Sequence, residues 1–268
     1  MTMAPEETDP PEVAQLERLL RLATDQVGYR PAFYRTLLES RVFALTPPDS
    51  IVWSPNEEHP LRFIQWQRDD GALAIPFFSS RARRLESPRG SSSMILLPTR
   101  QLFVQTRGAL LHLNPHSDFG REFLPAEVES LLTIGTVAEQ TEEIIVTEGG
   151  VGIRAAPEMP TELIDALIVL FSQMPEVKIA YFGESYDVKA DTPTSWLICI
   201  DVEGDTHRAI QATTTIVRDI RMRDRPVDIL SLDTENRSII ARGIGTEGCF
   251  YDRSWGARLN VPDSLRTS

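Results

Sequence analysis

The chain has 268 residues, 27 basic against 39 acidic side chains, a formal net charge of -12 and 41% hydrophobic residues. Such a composition excludes a disordered polymer and supplies material for one large or two small cores. The acid excess argues against a nucleic-acid binder, which needs a basic face, and no run approaches the roughly 20 apolar residues that span a bilayer.

Residues 1–11, with Pro5, Pro10, Pro11 and several acids, read as a disordered tail, and they lack the apolar stretch of a signal peptide. Val13, Leu16, Leu19, Leu20 and Ala23 then recur at helical spacing. Pro31 opens a second helix with Phe33, Leu37 and Leu38 inward, since proline is tolerated in a first helical turn. Arg41-Val42-Phe43-Ala44-Leu45 predicts a strand stopped by Pro47-Pro48. Two apolar runs, 61–66 and 72–78, are joined by Asp69-Asp70-Gly71 and predict a hairpin, with glycine supplying the positive φ of its turn. Ser79-Ser80 follow as caps of a short helix reaching Arg84. The serine-rich run 87–93 reads as a loop, 94–97 as a strand, and 99–106 as a short helix burying Leu102 and Phe103. A strand over 109–113 ends at Asn114-Pro115, and 125–132 predicts a helix.

The polar residues 133–142 form the expected linker between a first unit, 12–132, and a second, 143–253, with a mobile tail over 254–268. In the second unit 143–147 and 151–154 are strand-like. The helix over 161–174 is apolar on so many sides that it must be deeply covered. Strands are expected over 177–182, 196–202, 227–232 and 238–241. A helix over 207–221 should turn Ile210, Thr213, Val217 and Ile220 to one face. The fold class is α/β of the α+β kind, in two small mixed-sheet domains. The element order of the second suggests a ferredoxin-like sandwich, and other α/β arrangements also fit.

Candidate chemistry is sparse. His112 and His116 are four apart, but they flank Asn114-Pro115 at a strand end, where that spacing does not converge on a metal. Gly149-Gly150-Val151-Gly152 runs into an extended segment, so it reads as a turn and not as a phosphate cradle. Ser79 and Ser80 have no nucleophile elbow around them. Cys199 sits in an apolar strand as an inert thiol, and Cys249 is expected to be more exposed, with acidic neighbours disfavouring its thiolate. Asp69-Asp70 at a hairpin tip should stay solvated. The arginine clusters around Arg83 and Arg221 read as solvated faces. No catalytic, cofactor or metal set is assigned, and two lone cysteines suit a reducing cytoplasm.

Several of these runs together resemble the SseB (enhanced serine sensitivity) family of bacteria. They are Pro31-Ala-Phe-Tyr-Arg-Thr-Leu-Leu-Glu-Ser-Arg-Val-Phe43, then Asp70-Gly71-x-Leu73-x-Ile75-Pro76-Phe77-Phe78-Ser79-Ser80. Gly108-Ala109 and Leu113-Asn114-Pro115-x-Ser117-x-Phe119-Gly120-x-Glu122-Phe123 follow. Residues from Pro157 to Asp228 resemble the family's C-terminal domain. The resemblance implies a protein with no established enzymatic activity and no cofactor, and the family's recurrent residues are turn and packing types that fit a binding surface or a scaffold better than an active site. The expected interaction surface comprises Asp69, Asp70, Gly71, Ser79, Ser80, Asn114, Asp118, Phe119 and Glu122, with a turn-forming role for the same residues as the competing reading. The leading expectation is a cytoplasmic protein acting through protein–protein interaction. One alternative is an acidic immunity or chaperone-like protein that neutralises a basic partner. The other is an enzyme of amino-acid or sulfur metabolism whose site unites residues distant in sequence.

Overall fold

Residues 12–48, 61–68, 70–86, 92–135, 151–220, 222, 225–233 and 236–255 are described by a computed structural model. The chain folds as two compact units, Met1–Glu139 and Gln140–Ser268.

In the first unit, α1 (Glu12–Asp25) buries Val13, Leu16, Leu20 and Ala23, the stripe its spacing predicts. Helix α2 (Arg30–Glu39) has Pro31 in its first turn and buries Phe33, Tyr34, Leu37 and Leu38. There follow β1 (Arg41–Thr46), β2 (Trp66–Gln67), β3 (Leu73–Phe78), α3 (Arg81–Glu86), β4 (Ser93–Pro98), α4 (Thr99–Gln105), β5 (Leu110–Leu113), β6 (Arg121–Phe123) and α5 (Pro125–Ile134). The sheet runs β4-β1-β3-β5-β6, with β2 also pairing β3. Only β3 and β5 are parallel among these pairs. Side-chain alternation sorts the sheet's two faces. Val42, Ala44, Ile75, Phe77, Leu111, Leu113 and Phe123 join the core under α1, α2, α4 and α5. Phe43, Leu45 and Phe78 point the other way, where Ile64, Trp66, Met94 and Leu96 pack on them. That second layer covers only part of its face, and the remainder forms a cleft.

The hairpin is present, with Trp66 opposite Ala74 and Gly71 at φ +85°. Strand β6, which the sequence reading treats as loop, is three residues long and exists by pairing with β5. Ser93, expected in a loop, begins β4. The expected N-terminal tail and residues 87–91 lie outside the described residues.

The second unit comprises β7 (Val151–Ala155), α6 (Thr161–Ser172), β8 (Val177–Asp187), β9 (Thr192–Val202), α7 (Thr206–Ile220), β10 (Val227–Leu232), α8 (Arg237–Ile244) and β11 (Cys249–Asp252). Its sheet runs β10-β9-β8-β11, and β7 pairs with the distal half of β8. This is an α+β unit with a mixed sheet, but its strand order is not that of a ferredoxin-like sandwich. There the first strand lies inside the sheet, whereas here β8 and β9 form a long hairpin and β7 docks outside it, antiparallel to β8.

Residues 238–241 are not a strand. They belong to α8, because the i,i+4 pair Ile240 and Ile244 is buried on one helical face and Gly245, at φ +69°, ends the helix. Asp233 and Asn236 open it by exchanging side-chain to backbone hydrogen bonds, each 2.8 Å. Helix α7 also turns differently from expectation: Ala209, Ala212, Thr213 and Ile216 are buried, while Ile210, Val217 and Ile220 are half-buried. Small side chains let the helix approach α6 closely, and Thr213 can be buried because its hydroxyl donates to Ala209 O.

Candidate functional site

Strands β3 and β5 end side by side, and the residues leaving them form a closed polar junction. Asn114 continues the parallel ladder: its backbone N–H donates to Phe77 O (2.9 Å) and its Oδ1 accepts from Ser79 N (2.9 Å). Its φ of 49° lies in the left-handed region that asparagine tolerates better than most residues. Ser79 Oγ and Ser80 Oγ each lie 2.8 Å from Glu17 Oε1, to which both donate. Ser80 Oγ also accepts from Arg83 N (3.2 Å) and so caps α3. The Arg83 guanidinium reaches Glu17 Oε2 at 3.3 Å and Glu86 Oε1 at 2.6 Å. Phe119 is clamped between Arg21 and Arg83, each guanidinium 4.4 Å from its ring centroid.

Burial pushes the Glu17 carboxyl up, but the Ser79, Ser80 and Arg83 hydrogen bonds outweigh it and hold the pKa below the usual value. A carboxylate so held is a weak base, and Ser79 is fully buried. The junction therefore ties α1 to the strand ends and to α3. Glu17 was not legible as a member; its only sign is its place one residue after the buried Leu16.

The open face of the same sheet carries the cleft, about 370 Å³ in volume. Its floor follows from register: Trp66 lies opposite Ala74, while Pro76, His112 and Glu122 form one row across β3, β5 and β6. Pro76 is tolerated in an inner strand because, on that side of β3, β2 pairing ends at Ala74 and β1 pairing begins at Phe77. Arg68 bridges two carboxylates, with Nη1 2.8 Å from Glu122 Oε2 and Nη2 3.3 Å from Asp70 Oδ2. His112 Nδ1 is 3.7 Å from Glu122 Oε1, and the Trp66 and His116 rings are 5.9 Å apart. Burial lowers the pKa of His112, and Arg68 and His116 lower it further against the pull of Glu122. The ring is thus neutral at pH 7.

The residues singled out from sequence divide between these places. Asp70 and Glu122 line the cleft, with Gly71 at the adjoining hairpin tip, and Asp118 is exposed. Ser79, Ser80, Asn114 and Phe119 are buried in the junction or beside it. Asp69 lies outside the described residues. Trp66, Arg68, His112 and His116 complete the cleft; only strand register brings them together, so spacing along the chain could not reveal it. Among the described residues no group of three His, Cys, Asp or Glu could hold a metal ion.

Glu184, 2% exposed, receives Arg154 and Arg225 at 2.7 Å each, and Arg225 lies 3.6 Å over the Trp196 ring. Burial pushes the Cys199 thiol up to about 12. Cys249, expected to be more exposed, is buried, and burial together with Asp252 pushes its thiol up to about 11. Gly152 lies within β7 against the Tyr186 ring, and the preceding Gly149-Gly150 fall outside the described residues.

Two domain families match the chain: the SseB protein N-terminal domain over residues 16–130 and the SseB protein C-terminal domain over residues 145–253. Protein SseB of Escherichia coli (strain K12) is 32% identical over 250 residues, covering 91% of this chain and 94% of the relative. Protein SseB of Shigella flexneri matches to the same extent. A solved structure, a sex pheromone staph-cAM373 precursor, aligns at 11% identity and a TM-score of 0.16, too low to carry an argument.

Proposed function

The chain belongs to the SseB family, and from that premise we propose that it is a non-enzymatic bacterial binding protein of the cytoplasm, receiving a basic protein partner at the cleft. The observation that carries this reading is the cleft itself. It gathers an indole, two imidazoles and two carboxylates around one hollow, while Ser79 and Ser80 are buried and Cys199 and Cys249 are held as neutral thiols. Asp70 and Glu122 share a single arginine, which leaves the cleft anionic within a chain of charge -12. Such a surface steers a basic partner and speeds its association. Among the described residues no helix is long and apolar enough to cross a membrane.

The test is affinity capture of the tagged chain from its native lysate at low and high salt, beside an Asp70→Asn/Glu122→Gln variant. One stoichiometric protein partner, released by salt and lost with the variant, supports the proposal. A partner held equally by the variant would move the surface elsewhere. Retention of a small molecule with no protein would favour an enzyme instead.

A further inference from the structure

Two places in the molecule bring an indole and a carboxylate together on a sheet, and in the second unit the set is complete. Glu184 lies opposite Trp196 across β8 and β9. Arg225 stacks 3.6 Å over that indole while its Nη1 meets Glu184 Oε2 at 2.7 Å. A guanidinium suits this double contact because it is planar and weakly hydrated. One face can lie on a ring while its edge donates to a carboxylate.

In the cleft of the first unit the corresponding set is short of a cation. Asp70 and Glu122 share Arg68, and with His112 neutral one negative charge is left over. Both oxygens of Asp70 are engaged, Oδ1 by Ala72 N at 3.0 Å and Oδ2 by Arg68. Glu122 Oε2 is taken by Arg68 as well, but Oε1 has no hydrogen bond among the described residues. His112 Nδ1, at 3.7 Å, is too distant to supply one. The ring neighbours of Trp66 are Phe78 and His116, at 6.1 and 5.9 Å, and among the described residues no cation lies over its face. The Glu122 side chain is 37% exposed and Trp66 is half-buried, so a ligand reaches both without prising open the core.

Taking the cleft as the seat of a basic partner, as proposed above, we infer that it receives a single arginine side chain of that partner. The guanidinium donates to Glu122 Oε1, the stem crosses Pro76 against the Trp66 indole, and Arg68 stays between the two carboxylates. The added cation balances the charge of the cleft, and a volume of about 370 Å³ accommodates one such side chain. Charge-assisted hydrogen bonds of this kind are the strong ones. Lysine has the charge but carries it on a compact, strongly hydrated ammonium that cannot lie flat on a ring. Citrulline has the shape without the charge.

The test titrates Nα-acetyl-arginine methylamide, a blocked residue with one positive charge, into the full chain at neutral pH. Binding is followed by NMR at the indole Nε–H of Trp66, identified as the signal missing in Trp66→Phe. A saturable shift is expected, with a midpoint on the order of millimolar. The lysine counterpart should bind about fivefold more weakly and the citrulline counterpart should not bind. Glu122→Gln should weaken the arginine ligand about tenfold with the thermal midpoint unchanged. An unmoved Trp66 signal overturns the inference, as does undiminished affinity in Glu122→Gln. Equal binding of the lysine ligand overturns the guanidinium class. Should Trp66→Phe fail to fold, calorimetric titration of the wild type and Glu122→Gln decides the matter by itself. The readout is independent of partner capture. Arginine binding without a captured protein supports this site and removes the partner reading, whereas a captured partner beside an unresponsive Trp66 overturns this inference alone.

Discussion

The junction and the cleft grow from the same two strands, draw on the same kinds of residue, and end in opposite states. In the junction Ser79, Ser80 and Asn114 are at most 3% exposed; Glu17 satisfies both serines from α1, Arg83 N donates to Ser80, and Asn114 pairs with Ser79. In the cleft Arg68, His112 and Glu122 touch one another but keep part of their surface in water. A closed polar network rigidifies a fold, because each buried group is expensive to leave unpaired. Groups in a half-open cleft interact weakly with each other and remain available to something else. Polarity in the sequence therefore does not separate sealed groups from open ones; closure does.

The comparison is broken most readily at Phe119. Replacing this clamped ring by alanine should cost about 3 kcal/mol of stability, read from urea unfolding, while capture per folded molecule stays unchanged. A loss below about 0.5 kcal/mol would mean that the junction does not hold the fold. Asn114→Ala comes next at about 2 kcal/mol, since it strands the Ser79 backbone N–H in a buried setting.

A subtler effect is the acid response of Glu17. Its folded pKa is depressed, so its contribution is full above the unfolded value, near 4.5, and is lost as pH falls through the lower folded value. The urea midpoint should decline over that range, and less steeply in Glu17→Gln. Identical slopes for the two proteins would remove Glu17 from the network.

The cleft should behave in the contrary way. Asp70→Asn and Glu122→Gln are expected to move stability by no more than about 0.5 kcal/mol and yet abolish capture. The smallest effect is spectroscopic: the His112 ring should titrate below 6.5. A midpoint at or above that value would mean that Glu122, and not burial, governs the ring.

Legibility followed the range of the interactions. Helix α1 was readable because its stripe repeats within a few residues, and the β2–β3 hairpin because Asp70-Gly71 dictates its own turn. Strand β6 was not, since Arg121-Glu122-Phe123 is extended only by virtue of β5 beside it. The run around Ile239 has β-branched residues that read as a strand until Ile244, one helical turn past Ile240, is counted with them. Of the candidate surface, Asp70 and Glu122 reached the cleft, whereas Ser79 was claimed by Glu17, 62 residues away in the chain.

By itself, then, the sequence determined the family, the α+β class and the location of most helices and strands, all of which rest on local spacing or on motif order. Tertiary structure alone decided which polar residues are sealed and which are open, the strand order of the second unit, and the gathering of Trp66, His112 and Glu122. Those outcomes depend on which sheet face the helices cover and on which strands become neighbours. Both are long-range choices that no short stretch of chain encodes.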